Sequence, residues 1–203
     1  MSPRGVAVPD IREQLFQATE RLLSRDGPSA LTSRAITNEA GCAKGILHNH
    51  FTDLDGFLAA FVVDRFRLVM ERATTLHSRA GEGTVVENLT EAALSVFDSN
   101  ALAIFSLATS RPALLLRLRQ SDAAGSPSLQ EIEATFAAYL DAEKKLGRIA
   151  ANADTETLAL SLIGAIHHLF VTDRLNGSDL SMGVHRIVTV LIADATLNGT
   201  APH

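Results

Sequence analysis

Residues 31–51, LTSRAITNEAGCAKGILHNHF, read as two short helices folded over one tight turn. Leu31 precedes a capping Thr32, and Ile36 follows at the fourth helical position. That pair can form a hydrophobic staple while Thr32 accepts from a free N–H of the first turn. Residues 33–40 then carry Ile36 and Ala40 on one face, and Gly41 stands where a left-handed residue closes a helix. A second helix, about residues 43–49, turns Leu47 inward and Lys44, His48 and Asn49 outward. Short helix, glycine turn, short helix with a polar outer face is the helix-turn-helix plan, whose second helix fits a DNA major groove.

The flanks extend this plan. Upstream, residues 10–25 place Ile11, Leu15, Ala18 and Leu22 on one helical stripe, stopped by Asp26-Gly27-Pro28. Downstream, a capping box from Thr52 to Asp55 opens a long helix to about residue 77, carrying Phe57, Leu58, Phe61, Phe66 and Val69. Such a rigid element is suited to carry a change in the larger domain to the reading head. Breaks at 81–83 and 123–128 divide further helical segments, about 84–99, 101–110, 112–122, 128–146, 154–176 and 180–197. No period-two strand pattern and no repeat stands out. The fold class expected is all-α. An N-terminal three-helix helix-turn-helix DNA-binding domain, 1–51, precedes a larger C-terminal helical domain, 52–203.

The segment from Ile11 to Leu58 resembles the DNA-binding domain of tetracycline-repressor (TetR) family transcription regulators. The resemblance rests on IREQLFQATERLLSRDG, ALTSRAITNEAG, CAKGILHNHF and TDLDGFL, about a quarter of the chain; the rest is similar only in helical plan. It implies nine or so helices, a homodimer on double-stranded operator DNA, and a C-terminal pocket for a small-molecule inducer. The chain departs from the family at His48, where an aromatic is usual, at Ile46 and Ala43, where hydroxyl residues are usual, and at Leu54, where a lysine is common. Those family residues touch phosphate or thymine methyls, so the departures imply differently tuned DNA contacts.

Composition sets bounds on the remaining possibilities. A chain of 203 residues, 46% hydrophobic with one tyrosine and no tryptophan, suits an alanine- and leucine-rich helical protein. No apolar run reaches the roughly 18 residues of a membrane span. The N-terminus lacks a secretory h-region, so a cytoplasmic protein without membrane partners is expected. One cysteine leaves no intrachain disulfide and no zinc-finger framework. Charge opposes the motif: residues 1–58 hold six basic against seven acidic side chains, and the remainder twelve against sixteen. A basic footprint is usual for nucleic-acid binding. Here only a local patch of Arg4, Arg12, Arg34 and Lys44, with partly protonated His48 and His50, is available, so few phosphate ion pairs and a shallow salt dependence are expected.

The DNA-contact candidates are Thr32, Ser33, Arg34, Ala43, Lys44, Gly45, His48, Asn49 and His50. Lys44 can reach guanine O6/N7 or phosphate, and Asn49 can pair with an adenine edge. Gly45 permits close backbone approach. The bland reading is a solvated helix face, and the turn geometry favours contact over it. Phe51 reads as core, and Cys42 as a small hydrophobe rather than a redox sensor. His77, His167, His168 and His185 have no helical ligand spacing, so neither a metal nor a cofactor is expected. For the inducer, Phe105, Thr109, Phe136, Tyr139 and His168 are the ligand-contact candidates, although each reads more simply as core. In the last two helices Leu158, Leu162, Ala165, Leu169 and Thr172 share one face, and Ile187, Val190, Leu191 and Ala195 another. The resemblance implies a four-helix dimer interface there, and a two-fold dimer reads a palindrome.

The leading reading is a ligand-responsive transcriptional regulator, a repressor that a small, mainly apolar molecule releases from its operator. An enzyme lacks support, because no nucleophile–base pair, phosphate loop or metal spacing is present. A helical ligand-binding or interaction protein that has lost specific DNA binding is the alternative, kept open by the non-basic head.

Overall fold

The computed structural model describes residues 10–120, 128–172 and 178–197. Among them are ten α-helices, two 3-10 turns and no strand, an all-α fold as the hydrophobic periodicity predicts. The α-helices are α1 (Ile11–Asp26), α2 (Ser33–Glu39), α3 (Ile46–His50), α4 (Leu54–Thr74), α5 (Val85–Val96), α6 (Ser99–Ser110), α7 (Pro112–Gln120), α8 (Leu129–Lys145), α9 (Thr155–Val171) and α10 (Ser178–Leu197). The 3-10 turns are Pro28–Ala30 and Thr75–Arg79. The helix ends expected at 122 and 176 lie outside the described residues. By packing, the described residues divide into two compact units, one within Met1–Asp64 and Ala103–Ser126, the other within Arg65–Leu102 and Pro127–His203. This is a division of cores, different in kind from the functional division expected between 51 and 52.

The first unit is built on the stripe of α1. Asp10 caps that helix by accepting from the Arg12 amide at 3.0 Å, and Gly27 closes it with an N–H bond to the Leu23 carbonyl. Leu15, Phe16, Ala18, Leu22 and Leu23 pack with Leu31, Ile36 and Leu47, with Phe57, Leu58 and Phe61 of α4, and with Leu107, Leu114 and Leu118 of α6 and α7. Phe16 lies 5.5 Å from Phe57 and 5.7 Å from Phe61 between ring centres, tilted and edge-on respectively. Full burial of each such side chain stabilises the fold by about 1.5–3 kcal/mol. The long helix starts one residue later than the box pattern predicts. Asp53, not Thr52, caps it, accepting from the Gly56 amide at 2.7 Å; a carboxylate at that place holds the free N–H more strongly than a hydroxyl.

The second unit packs α8 against α9, α9 against α10, and α10 against α5. Leu89, Ala93, Phe136, Leu140, Ile163, Ile166, Val184 and Val188 form much of its core. Inside that core the Tyr139 hydroxyl donates to Glu143 Oε1 at 2.6 Å and accepts from the Asn88 amide at 3.0 Å. Glu143, fully buried, also accepts from the Gly81 N–H at 3.3 Å and faces Arg148 Nε at 3.4 Å. Pairing of this kind is what lets a buried carboxylate persist in an apolar core.

Part of the apolar stripes of α9 and α10 goes into the unit's own core. Leu162 and Ala195 are buried in it, and Leu158, Ile187 and Leu191 pack against it. Among the described side chains, the large apolar ones left exposed on these helices are Leu160 on α9 and Met182 and Val190 on α10, at 55%, 58% and 68%. The physical reason is that each of these helices already has two helical neighbours, which take the strongest stripe.

Candidate nucleic-acid interface

Local sequence builds the helix-turn-helix. The Thr32 side chain accepts from the Ala35 amide at 3.1 Å, which starts α2, while Leu31 and Ile36 on either side of it are fully buried. The far end closes with Gly41 at φ +66°, its N–H on the Asn38 carbonyl at 3.1 Å and the Cys42 N–H on the Thr37 carbonyl at 2.9 Å. These two bonds satisfy carbonyls that a helix end otherwise leaves open, and their geometry needs the left-handed residue between them. From α1, the Gln14 amide donates to the Ala40 carbonyl at 2.7 Å and holds the turn in place.

The second helix is shorter than the periodicity predicts. It spans Ile46–His50, with Ala43, Lys44 and Gly45 in a preceding turn closed by the Ile46 N–H on the Ala43 carbonyl at 3.0 Å. Gly45 at its start offers no side-chain cap, so the helix begins late. Its anchor is Leu47, fully buried, and Phe51 follows half-buried with its ring 4.9 Å from Phe57. The structure leaves Ala43, Lys44, Gly45, His48, Asn49 and His50 exposed together on this segment, with Thr32 and Arg34 exposed and Ser33 half-buried at the start of α2. Cys42 is half-buried, its Sγ 3.5 Å from the Ala40 carbonyl.

The cations of the head are unequally committed. Arg21 and Arg25 pair with Glu39 at 2.9 and 3.3 Å, and Arg25 also with Asp26 at 2.9 Å. The hydrogen bond from Arg21, reinforced by Arg25, holds the Glu39 carboxyl below its ordinary range. Arg12 lies over the Phe16 ring at 5.1 Å. Arg34 and Lys44 make no ion pair among the described residues and are exposed to solvent. Arg4 lies outside the described residues. Two cations that sequence reasoning left out join this unit: Arg111, just before α7, donates to the Leu31 carbonyl at 2.7 Å, and Arg117 of α7 pairs with Asp53 at 2.6 Å. No periodicity could have found them, since they lie 80 and 64 residues from their partners.

The ligand-contact candidates fall into both units. Phe105 and Thr109 are exposed on α6 in the first, the Thr109 hydroxyl bonded to the Phe105 carbonyl at 3.0 Å. Phe136, Tyr139 and His168 belong to the second, where Phe136 and Tyr139 are fully buried core and His168 is exposed. Burial lowers the ionisation of the neighbouring His167, with a smaller effect from His168. Among the described residues no group of three or more His, Cys, Asp or Glu side chains is placed to hold a metal ion, and no helix is long and apolar enough to cross a membrane.

Residues 15–61 match the family described as bacterial regulatory proteins, tetR family. A curated relative from Haemophilus influenzae, an uncharacterized HTH-type transcriptional regulator, is 34% identical over 64 residues, 32% of this chain. The chain spans about a third, 34%, of that relative's length. In fold, the chain is similar to a Mesorhizobium loti protein assigned to the TetR-family transcriptional regulators, with TM-score 0.70 and 16% identity over 94% of this chain and 98% of that one. It is also similar to SmeT, the repressor of the Stenotrophomonas maltophilia multidrug efflux pump SmeDEF, with TM-score 0.62 and 19% identity over 95% and 96%. A third likeness is to the fatty acid degradation regulator FadR from Bacillus halodurans, with TM-score 0.61 and 18% identity over 89% and 97%.

Proposed function

We propose that the chain, whose residues 15–61 match the model for bacterial regulatory proteins of the tetR family, is a ligand-responsive transcriptional regulator. In this reading residues 1–51 are the DNA-reading domain and 52–203 the ligand-binding and dimerisation domain. The observation that carries it is the head itself. Leu47 anchors a short helix beyond a left-handed glycine turn, and Lys44, His48, Asn49 and His50 are left exposed on one segment, with Arg34 exposed on α2. Lys44 donates to guanine or phosphate and Asn49 reads an adenine edge. Thr32 and Ser33 approach the backbone, and Gly45 lets the chain come close.

A homodimer, joined through exposed Leu160, Met182 and Val190, binds a palindromic operator in the cytoplasm. The regulator is a repressor, and its inducer is a small, mainly apolar molecule. That molecule has to bind the DNA-free arrangement more tightly than the DNA-bound one, because only differential affinity shifts such an equilibrium. Tyr139 and Phe136 belong to a closed core, so a ligand that uses them has to open it. SmeT, a repressor of an efflux pump by its description, is an example of the same fold in that role.

The test is selection of purified protein on a random duplex library at moderate salt, followed by sizing of the complex. An enriched inverted repeat held by a dimer supports the reading. A well-folded dimer that enriches no duplex overturns it in favour of a helical ligand-binding protein.

A further inference from the structure

Asp53 and Asp55 follow His50, the last residue of α3, by three and five positions. Three residues span at most about 11 Å. That is comparable with the screening length of ~10 Å at 0.1 M salt. A bare Asp53 carboxylate is therefore close enough to oppose phosphate approaching α3. It is not bare. Arg117 Nη2 lies 2.6 Å from Asp53 Oδ2, and Arg111 Nη1 lies 3.5 Å from Asp55 Oδ1.

The seat for Arg117 is built from three sides. Leu114 and Leu118, one turn apart and 0% and 7% exposed, fasten α7 to the core of the head. Arg111, the residue before the same helix, donates to the Leu31 carbonyl next to the cap of α2. Gly56 leaves the guanidinium its space: a Cβ there would meet Arg117 Nη1 at 2.9 Å. The Arg117–Asp53 pair is nearly half exposed on both sides, at 41% and 45%, so it adds little to folding. Its effect is on the local field. The charge count shows the same: residues 1–58 alone carry a deficit of one, whereas the whole unit, with α7 included, holds nine basic and nine acidic side chains.

We propose that Arg117, seconded by Arg111, is a positioning residue and built-in counter-ion of the reading head, cancelling the carboxylates at the start of α4 so that DNA phosphate can approach α3. The proposal rests on the operator-binding reading. In this arrangement a helix remote in sequence supplies the positive charge that the head's own sequence lacks.

The experiment measures affinity for the selected duplex, by fluorescence anisotropy, of wild-type protein, Arg117→Gln, Asp53→Asn and the double variant. Arg117→Gln is expected to bind about three- to tenfold more weakly at low salt, the gap closing as salt is raised to about 300 mM. Asp53→Asn tightens binding, and Asn still caps α4. The double variant, with the net charge of wild type, returns to wild-type affinity. Arg117→Gln binding like wild type at low salt overturns the proposal. So does a deficit that salt leaves unchanged and Asp53→Asn fails to restore, since that is the mark of a merely structural role. Wild-type protein that enriches no duplex overturns the operator reading first, and is distinguished by failing before any variant is compared.

Discussion

Lys44 is the side chain on which the proposed DNA contact depends most directly. It is exposed, in the turn before α3, and without an ion pair among the described residues. Lys44→Ala is expected to weaken operator binding about tenfold, the loss of one base or phosphate contact, while leaving the melting curve unchanged. Unaltered affinity would mean that the recognition segment has been misassigned. Tyr139 has the opposite character. Its hydroxyl is buried between Glu143 and Asn88, so Tyr139→Phe strips a donor from one and an acceptor from the other. A loss of about 1–3 kcal/mol in denaturant unfolding is expected. Burial, then the Glu143 hydrogen bond, pushes the phenol's pKa above its ordinary 10.0 and so disfavours the phenolate. A raised folded-state value means that the contribution is complete below pH 10.0 and is lost as pH rises further. Base-induced unfolding should therefore be blunted in Tyr139→Phe, and an identical alkaline limb in both proteins would count against this network.

At the scale of elements, the helix ends carry the argument. Gly41 joins α2 to α3 at φ +66°, and an added Cβ there would touch nothing within 4 Å. The cost of Gly41→Ala is thus purely one of backbone conformation, about 1 kcal/mol, with Gly41→Asn recovering part of it. A denaturant midpoint for Gly41→Ala equal to wild type would show that the turn is not held as described. Both the cap at Thr32 and the turn at Gly41 were legible in the sequence, because a capping hydroxyl, a staple and a closing glycine each act over no more than about five residues. The start of α4 was not so legible, since Thr52 and Asp53 are both capping residues and only the folded backbone decides which one meets the free N–H of Gly56. The length of α3 is not legible in the sequence for a related reason. Five residues hold too few internal bonds to define their own start, and the anchoring of Leu47 in the core settles it.

For the whole molecule, dimerisation is the property to test. Val190 is 68% exposed, so Val190→Asp leaves the protomer's core intact. We expect it to convert the dimer to monomers in light scattering and to abolish operator binding with it. A Val190→Asp protein that stays dimeric would move the interface elsewhere. The sequence by itself determined the all-α class, the helix-turn-helix and the outward set from Lys44 to His50, because helical period, caps and a left-handed turn are local in their physics. Only the tertiary structure decided that α7 joins the core of the head, that Arg111 and Arg117 meet the carboxylates of α4, and that the strongest stripes of α9 and α10 face inward. Those outcomes depend on contacts between residues tens of positions apart. Periodicity tells which face of a helix is apolar, and leaves open which neighbour will cover it.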